Sequence, residues 1–483
     1  MGQKSTIPHS SFLIPHSSLS LTYPFIYTII PKTSRKGDTV LIKLSEHFTY
    51  KKLLRFTIPS IIMMVFTSVY GVVDGYFVSN FVGKTPFAAV NFIFPFIMVL
   101  GAFGFMLGTG GCALIAKTLG EGDKVKANKL FSMLIYITVI SGAVISFCGI
   151  LLLRPVATLL GAEGEMLENC VTYGRIILLV LPAFMLQIEF QSFFALAEKP
   201  TMGLWITVAA GVTNMVLDAV FVHPKLLDLG LEGAALATAL SQCVGGIIPL
   251  IYFVCKNSTA LRVGKPYFSF SSFVKICTNG SSELMSNISM SLVGMLYNYQ
   301  LQANAGEDGV AAYGVLMYVN FVFISAFIGY AVGVAPVIGY HFGANTQKEL
   351  RSILKKSLVL ISVASVCMLA AGEALARPLS VFFVGYDQNL LSLTLEGFRV
   401  FSLSFLFAGF AIFGSSFFTA LNDGFTSAVI SFLRTLVFQV AAVLLLPVFF
   451  GIDGIWWSIV VAELAAAVLS AVFIIAKKKK YKY

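Results

Sequence analysis

Charged side chains are scarce in this chain of 483 residues: only 12% are Asp, Glu, Lys or Arg, while 57% are hydrophobic. A water-soluble fold of this length cannot hide so much apolar surface, which excludes an ordinary soluble enzyme or binding domain. Histidine is scarcer still, with five residues at 9, 16, 47, 223 and 341. They are too scattered for a metal or nucleophile constellation, which argues against a membrane enzyme. The seven cysteines (Cys112, Cys148, Cys170, Cys243, Cys255, Cys277 and Cys367) stand singly. Without the close pairs of metal or redox motifs, they read as small apolar packing residues. The formal charge of +10 does not imply nucleic acid, because Lys and Arg collect in alternate loops between apolar runs.

What is present is a series of runs of roughly 20 or more apolar residues, each able to cross about 30 Å of hydrocarbon as a helix. They lie near Thr57 to Phe81, Phe87 to Ile115, Phe131 to Leu153, Leu167 to Gln191, Met202 to Val222 and Leu231 to Val254. Six more follow near Phe273 to Leu301, Val310 to Val337, Ile353 to Ala376, Leu391 to Ala420, Phe425 to Phe450 and Ile452 to Ala476. The loops on one side hold Lys51, Lys52, Arg55, Lys117, Lys124, Lys126, Lys129, Lys199, Lys256, Arg262, Lys265, Lys348, Arg351, Lys355 and Lys356, and the Lys477 to Lys480 run ends on that side. The other side has little beyond Lys84, Arg154, Lys225 and Arg377. Positive charge marks the cytoplasmic face, so both termini are expected there and the chain in a plasma or inner membrane.

The two halves resemble each other at an offset of about 222 residues. Arg154-Pro155 answers Arg377-Pro378, LGEGDK at Leu119 answers FGANTQ at Phe342, and FQSFFALAEKP at Phe190 answers GSSFFTALNDG at Gly414. LGLEGAAL at Leu229 likewise answers FGIDGIWW at Phe450. Six spans is an even number, so the repeats point the same way. The expected fold is an all-α integral membrane protein of twelve transmembrane helices in two parallel six-helix repeats, two lobes around a central cleft suited to alternating access. The organisation read from the sequence is a disordered leader (1–44) containing a tandem IPHSS, an N-lobe (45–256), a cytoplasmic linker (257–270), a C-lobe (271–476) and a basic cytoplasmic tail (477–483).

Acids inside apolar runs are expensive and therefore informative. Asp74 and Asp218 lie about 16 or 17 residues into spans 1 and 5, roughly 25 Å from the same face, and so share one depth. Tyr173 and Thr238, in oppositely directed spans 4 and 6, reach a similar level. Asn214 precedes Asp218 by four residues and shares its face. Such oxygens can hold a proton, or Na⁺ at Asp74, Asn214 and Asp218. Purely structural roles are the rivals: a turn at the end of span 1 for Asp74, and pairing with His223 for Asp218. Glu283 in span 7 is the second lobe's candidate acid. Glu189, with Gln187 and Gln191, reads as solvated charge near the cytoplasmic end of span 4, while Arg434, Arg399 and Glu396 read as internal pairs, Glu396 with Arg399 at i, i+3.

The strings IPSIIMMVFTSVYGVVDGYFVSNFVG, LGEGD, ALAEKP, NMVLDAVFV and GLEGAALAT follow one another in an order that resembles the multidrug and toxic compound extrusion (MATE) transporters, in a MepA-like bacterial branch, from about Tyr50 to Lys477. The resemblance implies export of small cationic amphipathic drugs or dyes, driven by inward H⁺ or Na⁺, with no cofactor beyond the coupling ion. It implies that Asp74, Tyr173, Asn214, Asp218 and Thr238 are the cation-coupling set and that Glu283 matches an acid used in another branch. That branch also has an Asp in span 10, where this chain, from Leu391 to Ala420, has none. The protein is expected to act as a monomer in the lipid bilayer without nucleic acid. The alternative is a flippase for lipid-linked or polysaccharide cargo of the same superfamily, whose anionic phosphates call for more intramembrane Arg or Lys than this sequence offers.

Overall fold

The computed structural model describes residues 42–483 apart from Pro266, and no β-strand occurs among them. Helix α1 (Tyr50–Phe77) runs on through a π turn (Val78–Val82). Helices α2 (Lys84–Gly120) and α3 (Lys124–Leu159) follow. Helix α4 is a bent pair, Gly164–Leu179 and Leu181–Leu196, turning through 57°. Helices α5 (Pro200–Phe221) and α6 (Gly230–Val254) complete the first lobe.

A 74-residue helical stretch, Phe270–Gly343, opens the second. As one rod it would measure about 110 Å, more than three bilayer cores. Gly306, at φ 61°, instead turns the chain back, so that the rings of Tyr297 and Tyr313 stack with centroids 5.1 Å apart. The two arms are α7 (270–305) and α8 (307–343). Helix α9 (Gln347–Val384) leads to a second bent pair, α10, formed by Gln388–Ser402 and Phe405–Ala420 at 48°. Helix α11 starts as Gly424–Phe432, passes a π turn at Leu433–Phe438 and continues to residue 450. Gly451, at φ 57°, then reverses it into α12 (452–476), and a short turn, α13 (Lys478–Tyr481), ends the chain. The twelve expected spans, α1 to α12, are all present.

The repeat is visible in the backbone as well as in the letters. Left-handed conformations recur at Gly83 and Gly306, Gly122 and Asn345, Glu198 and Asn422, and Gly230 and Gly451, each pair separated by 221 to 224 residues. In LGEGD, Gly122 takes the φ of +88° that ends α2, and the Asp123 side chain accepts from the Lys126 amide to start α3. In ALAEKP, Pro200 opens α5 at a position where its missing N–H is no loss.

The lobes meet at their Lys-rich ends. A Cβ on Gly280 of α7 would fall 1.9 Å from the Met106 carbonyl of α2, and one on Gly343 of α8 would fall 2.0 Å from that of Lys117. Gly329 and Gly333 of α8 similarly abut Ser60 of α1. At the opposite ends Gly71, Gly294 and Gly314 have open space beside them, and Tyr76, Tyr299 and Phe321 are exposed. The cleft is therefore shut at the Lys-rich end and open at the other.

Most of the expected leader lies outside the described residues, but of its last three Ile42 and Leu44 are buried. They begin a strap across both lobes. The Leu44 amide donates to Glu198 Oε1 at 2.7 Å in the first lobe. His47 contacts Glu349, and the Phe48 carbonyl accepts from Lys356 Nζ, in the second. Of the cysteines, Cys112 and Cys170 are buried packing residues, whereas Cys148, Cys255 and Cys367 are exposed on the helix surfaces.

Candidate functional site

Four helices bring the expected residues together. Thr238 Oγ1 of α6 donates to Asp74 Oδ1 at 3.1 Å, and Asn214 Nδ2 of α5 lies 3.4 Å from both Asp74 Oδ1 and Thr238 Oγ1. Asp218, one turn beyond Asn214, is fully buried and lies against Asp74. Tyr173 of α4 is buried with its hydroxyl turned toward Thr238 and the two carboxyl groups. His223 is not the partner of Asp218; its ring packs on Phe81 instead. The α1 backbone passes from α-helix to π turn just after Asp74, where the Asp74 and Gly75 carbonyls both accept from the Val78 amide. That is the kind of local irregularity often found at functional positions.

Both Asp218 carboxyl oxygens and Asn214 Oδ1 are buried without a hydrogen-bond partner among the described residues. Beside them sit Asp74 Oδ1 and Thr238 Oγ1, so hard oxygen donors converge on a small volume. At about 4 Å and an effective dielectric of 20, two carboxylates repel by about 4 kcal/mol. The donor set therefore suits a shared proton or an oxygen-coordinated monovalent cation.

Two neighbours join this group: Tyr70, which the sequence does not single out, and Gln187, which the sequence reading places in solvent with Glu189 but which is buried. Tyr70 lies one turn before Asp74 on the same helix face and reaches toward Gln187 of α4. Gln187 is buried, with its Oε1 unpartnered among the described residues, and Gly245 of α6 makes room for it. Glu189 requires a correction: it is not solvated but 0% exposed, with neither carboxyl oxygen paired among the described residues. The bend in α4 carries Leu181–Leu196 into the lobe interior, where Gly108 of α2 lets the Glu189 backbone approach closely.

The second lobe has no counterpart of the acid pair. Tyr297, near the position repeating Asp74, stacks on Tyr313, shares a 2.8 Å hydrogen bond with Ser458 and belongs to an apolar core with Phe398 and Trp456. Glu283 stands apart from the first-lobe group, half-buried on α7 one turn beyond Gly280, with Arg434 as its charged neighbour. Arg434 is indeed in an internal pair, but with Glu463, while no ion pair joins Glu396 to Arg399 among the described residues. Glu396 and Arg399 are both exposed, and the buried face of that segment is formed by Thr394, Gly397, Phe398, Phe401 and Ser402 instead.

The family model described as MatE matches residues 59–220 and again 284–445. The chain belongs to the MatE family. Its two matched segments start 225 residues apart, in agreement with the internal repeat. The chain is 27% identical over 446 residues to the multidrug export protein MepA of Staphylococcus haemolyticus, covering 91% of this chain and 96% of that one. It is 25% identical over 444 residues to MepA of Staphylococcus aureus, with the same coverage. Among solved structures, a MATE protein in complex with MaL6 superposes with a TM-score of 0.86 at 23% identity, covering 92% of this chain and all of that one. The outward-facing conformation of a multidrug resistance MATE family transporter of the MOP superfamily also gives 0.86, at 22% identity with 93% and full coverage. The expected MepA-like MATE transporter, all-α and multi-pass, is what the sequence and the fold together describe.

Proposed function

We propose that this MatE family member exports small cationic amphipathic compounds in exchange for H⁺ or Na⁺ by alternating access, with both termini in the cytoplasm. The carrying observation is the cluster of Asp74, Tyr173, Asn214, Asp218 and Thr238. It is a buried, acid-rich group with unpartnered oxygens, held in one lobe of a two-lobed scaffold that is open at one end only. With the Lys-rich end inside, the open end faces outward and gives an external cation a route to the acids. The ion and the drug need only favour opposite facing states for one gradient to drive the other. Reading the cargo as cationic is also supported by Arg434, whose charge is matched by Glu463 and so is not displayed for an anionic phosphate.

Efflux of a fluorescent cationic dye from proteoliposomes, under an imposed H⁺ or Na⁺ gradient, tests the reading and names the ion. Asp218→Asn, and separately Asp74→Asn, are each expected to reduce gradient-driven efflux at least tenfold while the protein still inserts and folds. Undiminished efflux in both variants would remove the acids from the mechanism. Absence of dye movement under either gradient, with folded wild-type protein, would favour the flippase.

A further inference from the structure

The linker that joins the two lobes is fastened along its length to α3. Asn128 Nδ2 donates to the Ala260 carbonyl at 2.8 Å, and Asn128 Oδ1 accepts from the Arg262 amide at 2.7 Å. The Gly264 amide donates to Ser132 Oγ at 2.8 Å, and the Tyr136 hydroxyl donates to the Gly264 carbonyl at 3.2 Å. Asn128, Ser132 and Tyr136 follow one another at intervals of four and so share one face of α3. Tyr136 is also the first of an exposed stripe that continues through Ile140, Val144, Phe147 and Leu151. In a multi-pass chain an apolar stripe of this kind faces acyl chains. On α6 the exposed residues Ile247, Ile251 and Val254 end where the linker begins. The linker therefore lies at the level where hydrocarbon gives way to headgroups.

What the linker displays at that level has two chemistries side by side. Phe268 and Phe270 are 64% and 69% exposed, with Tyr267 also exposed beside them. Aromatic rings so placed are ill suited to water and well suited to the membrane interface. Around them the charge is of one sign. From Lys256 to Phe270 the chain has Lys256, Arg262 and Lys265 and no acid. Lys129 Nζ lies 5.6 Å from the Tyr267 ring centroid, next in sequence to the Asn128 that holds the Arg262 amide. Lys129, Arg262 and Lys265 are exposed, and none has an acidic partner among the described residues. The two acids of the neighbouring α2–α3 turn are engaged elsewhere: Glu121 with Lys117, and Asp123 with the Lys126 amide.

We propose that the linker and the adjoining end of α3 form a binding site for an anionic phospholipid of the surrounding leaflet. Lys129, Arg262 and Lys265 receive the phosphate-bearing headgroup, and Tyr267, Phe268 and Phe270 sit at the glycerol and upper acyl level. The hydrogen bonds to α3 hold these groups in place before the lipid arrives, which lowers the cost of ordering them on binding. Each Lys or Arg near an anionic surface favours association by about fivefold, so three together suffice to select an anionic lipid over a zwitterionic one. The site lies at the covalent joint of the lobes, since Ser269 caps α7 immediately after it.

The test is photo-crosslinking in vesicles of phosphatidylethanolamine that contain the full-length protein and a trace of diazirine-bearing phosphatidylglycerol or phosphatidylcholine, with the labelled peptides located by mass spectrometry. Labelling of the peptides spanning 129–136 and 262–270 is expected to be at least fivefold greater with phosphatidylglycerol. The triple variant Lys129→Gln, Arg262→Gln, Lys265→Gln should bring it down to the phosphatidylcholine level. A control triple variant, Lys348→Gln, Arg351→Gln, Lys355→Gln, removes the same charge from the repeat-related helix α9 at the same end of the molecule and should leave the ratio within twofold of wild type. Equal labelling by the two lipids in wild type, an unchanged ratio in the first triple variant, or an equal fall in the control overturns the proposal; the last outcome would reduce the effect to overall charge. Glycerol 1-phosphate in excess is expected to leave the labelling intact, and its abolition would mean that the site takes a free phosphate and no lipid. If the first triple variant does not insert, Lys129→Gln and Lys265→Gln decide singly, with at least a twofold fall in the ratio expected of each and no fall in either overturning the site.

Discussion

Glu189 shows how far a single residue's surroundings decide its role. Among the described residues it has no ion-pair partner, no exposed surface and no paired oxygen. An ionised carboxylate there would be strongly penalised, so an amide of the same shape is an adequate replacement. Glu189→Gln is expected to leave the thermal unfolding temperature nearly unchanged, whereas Glu189→Ala, which opens a cavity, should destabilise by about 2 kcal/mol or more. A clear loss of stability in the Gln variant would show that the acid ionises and pairs in another state. Asp74 and Asp218 are legible in the sequence because an acid inside an apolar run is conspicuous and because counting residues fixes its depth. Tyr70 is not, since aromatic side chains in spans usually only pack or link helices, and Gln187 is misread together with Glu189. Glu189 is misread because a lone proline, Pro182, is a weak sign of the bend that turns this residue inward. Arg434 is recognisable as one half of a pair, but its partner lies 29 residues away on another helix, beyond the reach of spacing rules.

At the scale of helices, the seam depends on residues without side chains. Gly280 and Gly343 are in van der Waals contact with the backbone of α2, and any Cβ there must displace a helix. Gly280→Ala is therefore expected to part α2 from α7 and favour opening at the Lys-rich end. Cys277, half-buried on α7 one turn before Gly280, reports it: maleimide labelling of that residue, followed by peptide mass spectrometry, should accelerate severalfold. An unchanged labelling rate would mean that the helices absorb the methyl group without opening. A second link between elements is ionic. Burial by itself would raise Asp423, but donation from Lys477, Tyr481 and Thr426 outweighs burial and holds the carboxyl below its ordinary range. The stabilisation from this clamp between the α10–α11 turn and the end of α12 is thus present above the unfolded-state value, about 4, and fades as pH falls below it. Asp423→Asn should lower the unfolding temperature at pH 7 and flatten its fall between pH about 5 and 3. Helix number and caps are legible at this scale because apolar length and turn residues determine them. The two π turns and the α10 bend are not, because no proline marks them, whereas Pro182 stands at the α4 bend.

For the whole molecule, the repeat is the most legible feature, since four left-handed turns and the matched letters recur at one spacing. The lobes differ in what fills them: acids and amides at depth in one, and stacked tyrosines with Trp456 in the other. Parting the lobes at the Lys-rich end must also release the strap, because residues 44–48 hold Glu198 on one side and Glu349 and Lys356 on the other. Phe48, fully buried beside His341, anchors it. Phe48→Ala is expected to raise the fraction of molecules open at that end, read as a longer distance between spin labels placed across it on the two lobes. An unaltered distance distribution would show that the strap merely follows the lobes.

The same closure bears on the cell's energy economy when no drug is present. In the proposed orientation, a proton or sodium ion can descend from outside as far as the paired acids, but the glycine seam and the strap below it leave no aqueous passage onward. An idle molecule of this shape is a stopper, so a cell could hold many copies in readiness without dissipating its ion gradient.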